Sequence, residues 1–149
     1  MLLNKSQFEA ELVSRKVFYF PCPELNTTVS HYFICICNHP INIVNLSCCT
    51  SQFDTVRRLI ERHRFPPETL VYIPGSDPQN PFTKDTFVNC NEYFLYTILE
   101  LWIMYTNKIL QISQKLIPLD SFAQILNGFH TSPQIEEDMK EMLPSIEDL

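Results

Sequence analysis

The chain has 149 residues, 45% of them hydrophobic and 12% aromatic, enough apolar surface to bury a core within the usual size of one domain. Its net charge of −6 excludes a general polyanion binder, because nonspecific nucleic-acid affinity comes from many Lys and Arg side chains releasing phosphate counterions. With only two glycines, Gly75 and Gly128, and no Walker, G-x-S-x-G or G-x-G-x-x-G pattern, it also lies outside the phosphate-cradling nucleotide folds.

The N-terminal MLLNKSQFEAELVSRK is broken by charges and lacks the apolar stretch of a secretory signal. KVFYF (16–20) reads as a first strand, closed by the prolines on either side of Cys22. ELNTTVS is a polar loop, and HYFICIC (31–37) is a second strand whose nearly continuous apolar character predicts burial on both faces. After a turn at NHP, INIVNLSCC (41–49) is a third strand, paired with the second as a hairpin.

Thr50, Ser51 and Gln52 end that strand. FDTVRRLIERHRF then carries Phe53, Val56, Leu59 and Ile60 at helical spacing, with Asp54 as its expected N-cap. TLVYI (69–73) and DTFVNCN (85–91) read as strands on either side of a proline-rich loop, PGSDPQNPF. TILELWIMYTNK fits a short helix through Ile98, Leu99, Trp102 and Tyr105, and ILQIS (109–113) a brief strand. The apolar run around Trp102 is too short to span a bilayer and contains Glu100. Two C-terminal helices follow: LDSFAQILNGF, with Asp120 as expected N-cap, and SPQIEEDMKEML, with Ser132 capping and Pro133 at the first helical position.

Strands first and helices last predict an α+β fold in a single domain spanning 1–149, with a bent β-barrel of five to six strands over about 14–115, a helix inserted after the third strand, and a helical segment over about 118–144. Cys22, Cys35, Cys37, Cys48, Cys49 and Cys90 include no C-x-x-C pair, so reduced thiols filling a core in a reducing cytoplasm are expected. His31, His39, His63 and His130 show no metal-ligand spacing, and neither metal nor cofactor is expected.

The succession HYFICI, NIVNLSCCTSQ, TLVYI and NPFTKDTFVNC resembles the PemK/MazF-like family, small SH3-like barrels best known as toxin endoribonucleases of toxin–antitoxin pairs, over residues from about 14 to 92. Ser30-His31 matches the family's basic or His-containing entry to the second strand, Thr50-Ser51 its Thr-Ser pair, and Asp85-Thr86-Phe87-Val88 a late D-S/T-x-V strand. The chain departs from the family where Arg15-Lys16 replaces Gly-Asp before the first strand, and where TTVSH lacks the usual arginine.

The resemblance implies metal-independent RNA cleavage, with His31 as general base or acid and the Thr50 and Ser51 hydroxyls as donors to a phosphate oxygen. RNA contacts would come from Gln52, Arg57, Arg58, Lys84, Asp85 and Thr86. It also implies RNA and a cognate antitoxin as partners, a homodimer, and no membrane. Each residue has a plainer reading: His31 as a hydrogen-bonded structural side chain, Thr50 to Gln52 as the lead into a helix, Lys84 to Thr86 as a salt-bridged loop, and the arginines as a solvated helix face. A thiol–His pair of Cys48 or Cys49 with His31 is a third catalytic reading, disfavoured because adjacent strand residues point in opposite directions. A noncatalytic barrel that binds protein or single-stranded RNA is the alternative function, with the acidic tail IEEDMKEMLPSIEDL as an RNA mimic or a partner-docking helix.

Overall fold

The computed structural model describes residues 2–25, 29–39 and 43–149, except for the side chain of His39. Asn26 to Thr28 of the expected polar loop, and Pro40 to Asn42 at the expected turn and third-strand start, lie outside the described residues.

Helix α1 (Lys5–Ala10) is followed by strands β1 (Val17–Pro21), β2 (Ser30–His39) and β3 (Ile43–Thr50), then by helix α2 (Phe53–Arg62). Strands β4 (Leu70–Ile73), β5 (Thr86–Asn89) and β6 (Phe94–Thr97) lead into α3 (Ile98–Thr106); β7 (Gln111–Ile112), α4 (Leu119–Thr131) and α5 (Glu137–Glu141) complete the chain. Every strand pairing is antiparallel, in the order β4-β5-β3-β2-β1-β7, with β6 beside β3.

The fold is α+β, but seven strands form one sheet where five to six in a barrel were expected, and among the described residues the end strands β4 and β7 do not pair to close it. The extra strand is β6, which passes into α3 with no Gly or Pro between them. Thr97 marks the boundary: its hydroxyl accepts from the Glu100 N–H while Glu100 accepts from the Thr97 N–H, a reciprocal cap. Asn4 and Gln7 cap the unforeseen α1 in the same way.

Other helix starts differ from expectation. Gln52, not Asp54, occupies the N-cap of α2, and Asp54 falls in the first turn. Pro118 precedes α4, so Asp120 is likewise a first-turn carboxylate that favours the positive helix end without capping it. Ser132 closes α4 instead of opening α5, which starts only at Glu137.

The central strands bury both faces, as the run HYFICIC predicts. On one side Val17, Ile34, Ile36, Cys49, Val71 and Val88 meet Phe122, Ile125 and Phe129 of α4, and Ile135 and Met139 from the tail. On the other, Phe18, Phe20, Phe33, Leu46 and Phe94 meet Phe8, Leu12 and Leu101. There the Phe20 and Phe33 rings stack with centroids 4.4 Å apart. A bulge between Cys35 and Cys37 shifts the β2–β3 register, bending the strand.

All six cysteines are free thiols, and burial pushes Cys37 up to about 11 and raises Cys35, Cys49 and Cys90. Among the described residues no helix is long and apolar enough to cross a membrane.

Two predictions follow from this packing. A thiol with a folded pKa above its unfolded value stabilises the fold fully below the unfolded value, near 8.5, and loses that contribution as pH rises toward the folded one. Thermal melts should therefore show falling stability from about pH 8.5 toward 11, by up to about 1.4 kcal/mol per pH unit for each such thiol, with a shallower fall in Cys37→Ala. Separately, a Cβ on Gly75 would lie 2.3 Å from the Lys84 backbone carbonyl carbon, so Gly75→Ala should cost about 1–3 kcal/mol or more in chemical denaturation.

Candidate functional site

The site grows from the end of the β2–β3 hairpin. The last pair in that ladder is Phe33 with Cys48, and partners in an antiparallel pair point to the same face. Two residues further along each strand, beyond the last pair of the ladder, the strand alternation turns His31 and Thr50 to that same face. Both are half-exposed. Beyond Cys48, β3 changes partner, and Cys49 and Thr50 pair with Val88 and Phe87 of β5.

His31 pairs with Phe20 of β1, and its Nδ1 lies 3.0 Å from the Val29 carbonyl oxygen. A carbonyl only accepts, so Nδ1 carries the proton and Nε2 of the neutral ring is left with a lone pair, the tautomer a general base requires. The Thr50 hydroxyl oxygen accepts from the Gln52 N–H at 3.0 Å, which holds the turn into α2 and leaves the O–H proton to donate elsewhere. Ser51 is exposed, and its carbonyl accepts from the Phe53 N–H. Gln52 is exposed at the α2 N-cap and makes no capping bond with its side chain.

The row continues across the sheet. Thr50 partners Phe87, and Phe87 partners Tyr72 of β4, so the three side chains stand side by side on one face. Tyr72 is 47% exposed, and its ring stacks on Phe87 at 5.4 Å. Phe53, 42% exposed at the start of α2, packs against Phe87 at 4.9 Å, and the Arg57 guanidinium lies over Phe53 at 5.8 Å.

The remaining candidates are placed unevenly. Arg57 is held by Glu61 at 3.1 Å and Asp54 at 3.4 Å, while Arg58 is exposed and makes no ion pair among the described residues. Lys84 is exposed before β5, and the carboxylate of Asp85 accepts from the Gly75 N–H at 3.0 Å, fixing the loop. Thr86 is buried; it points opposite to Phe87, and its hydroxyl donates to the Lys84 carbonyl. That places its side chain on the α4 side of the sheet and away from the row.

Glu92, on the turn between β5 and β6, was not singled out by sequence. Desolvation raises its carboxyl above the ordinary range, and its charge helps push the half-buried Cys48 thiol, already raised by burial, up to about 12. A thiol so raised is a poor nucleophile near neutral pH, and this argues further against the Cys48–His31 pair. The acidic tail packs on the opposite side of the sheet from His31 and Thr50. Met139 enters the α4-side core, the Asn45 Nδ2 lies 3.0 Å from its sulfur, and the Tyr93 hydroxyl donates to Glu136 at 2.7 Å.

The aromatic members of the row also escaped the sequence reading. Phe53 counted as part of an apolar helix face and Phe87 as part of a strand alternation, and only the β3–β5–β4 pairing sets them beside Thr50. The chain matches no protein-family model, and no curated protein matches it.

Proposed function

We propose that this protein is a metal-independent endoribonuclease of the PemK/MazF-like toxin type, acting on single-stranded RNA at the His31–Thr50 end of the sheet. The observation that carries the reading is the His31 imidazole, with Nδ1 committed to Val29 and Nε2 left as an acceptor, on the same sheet face as a Thr50 hydroxyl whose proton is uncommitted to its own turn. A backbone feature supports the family. Arg15, where such proteins carry glycine, has φ 77°, the left-handed region that favours glycine. The seven-stranded sheet would then be an opened variant of the SH3-like barrel.

In this mechanism His31 Nε2 takes the proton of a ribose 2′-OH as O2′ bonds to phosphorus. Thr50 and Ser51 donate to the nonbridging oxygens as negative charge builds there. The P–O5′ bond breaks to leave a 2′,3′-cyclic phosphate, and the departing O5′ takes its proton from solvent. An antitoxin and a second copy of the chain are the protein partners this reading calls for.

The test is cleavage of a long RNA with unpaired loops, in EDTA. The native chain should cut at discrete positions. His31→Ala should slow cutting about 10²–10⁴-fold and Thr50→Ala about 10²–10³-fold, with melting temperatures near native because both residues are half-exposed. Intact RNA with the native chain would overturn catalysis and leave the noncatalytic binding barrel, a reading that the missing family arginine and the ion-paired Arg57 favour.

A further inference from the structure

We infer that Tyr72, Phe87 and Phe53 form a stacking platform for the unpaired bases that flank the reacting phosphate. The inference rests on the reading of the His31–Thr50 end as an RNA site and adds what that site would hold. The rings are not core: two of the three are more than two-fifths exposed, at 47% for Tyr72 and 42% for Phe53, and they run in succession at 5.4 and 4.9 Å.

Their position is fixed by strand pairing. Tyr72 stands two strands from Thr50, so about 10 Å separates them at the usual interstrand spacing. A single strand with one phosphate at Thr50 therefore lays its neighbouring bases across Phe87 and Tyr72. Base faces are free to stack on aromatic rings only when the strand is unpaired, and every base has such a face, so the platform selects single strands with little regard to sequence. The charge around the rings is mixed. Arg57 lies over the Phe53 ring and Lys84 stands exposed at the entry to β5, with no ion pair on Lys84 among the described residues. Asp54, Glu61 and Asp85 are close by and temper that field, so stacking carries more of the affinity than attraction to phosphate.

The probe is a short labelled oligoadenylate bearing 2′-O-methyl groups, which binds without being cut, compared with the same strand annealed to its complement. Fluorescence anisotropy should show binding of the single strand and none of the duplex. Tyr72→Leu and Phe53→Leu, which keep apolar bulk but remove the π-face, should each weaken binding roughly 5- to 150-fold, while Tyr72→Phe retains native affinity. Thermal melts of the same variants verify that the fold is intact. Leucine variants that bind like the native chain, or equal affinity for duplex and single strand, would overturn the platform. So would a native chain that ignores the oligonucleotide, in which case the rings are a protein contact.

The two readings fail separately. Oligonucleotide binding that depends on Tyr72, without any cutting of natural RNA, removes the nuclease and keeps the platform. Cutting that is lost in His31→Ala but unchanged in KM and position in Tyr72→Leu removes the platform and keeps the nuclease.

Discussion

The register between β2 and β3 is the constraint on which the rest depends. Ile34 and Cys49 feed the core beneath α4, while Phe33 and Leu46 feed the core against α1 and α3. A slip of one residue would exchange the two sets and leave each core with the wrong volumes on its inner surface, so the pairing of Phe33 with Cys48 is specified from both sides at once. An antiparallel sheet with one solvated face would hold its register less firmly. The sheet face to which His31 and Thr50 turn is therefore set by packing elsewhere along their strands.

The same strand explains why the site is open. β3 uses one edge for β2 and divides the other between β6, along Ile43 to Leu46, and β5, at Cys49 and Thr50. The chain from Asn89 to Tyr93 leaves the ladder opposite Ser47 and Cys48, and the Glu92 charge acts on the Cys48 thiol. The core against α1 and α3 follows the β6 side of this division, while on the same face the β5 side receives α2, which meets the sheet through Phe53 and leaves Tyr72 47% exposed.

Much of this was legible in the sequence because the signals are local. A continuous apolar run means a strand buried twice, and HYFICIC is one; apolar spacing on either side of prolines locates α2 and α4. The β6–α3 boundary was hidden because aromatic and aliphatic residues continue through it, although Thr97-x-x-Glu100 is a capping signature that could have found it. The row could not be read from sequence, since β4, β5 and β3 are joined only by pairing between distant residues, and Tyr72 in LVYI looks like any strand aromatic. Thr50, the last residue of β3, leads into α2. The hydroxyl oxygen serves the turn into α2, and its proton stays available.

The charge distribution decides what sort of binding such a surface can support. A net charge of −6 repels a polyanion at long range, so fast electrostatic capture is not available to the whole molecule. The tail's carboxylates belong to segments packed beneath the α4 side of the sheet, whereas α2, with Arg57, Arg58 and Arg62, lies on the side of Phe87. Screening at physiological salt confines each field to about 8 Å, so a strand at the row senses the helix more than the tail. Under the proposed function, affinity at this surface would fall to short-range forces, ring against base and hydroxyl against phosphate. On the proposed RNA reading those forces require the strand to be unpaired before it arrives, and RNA conformation, ahead of charge, would be the property the surface discriminates.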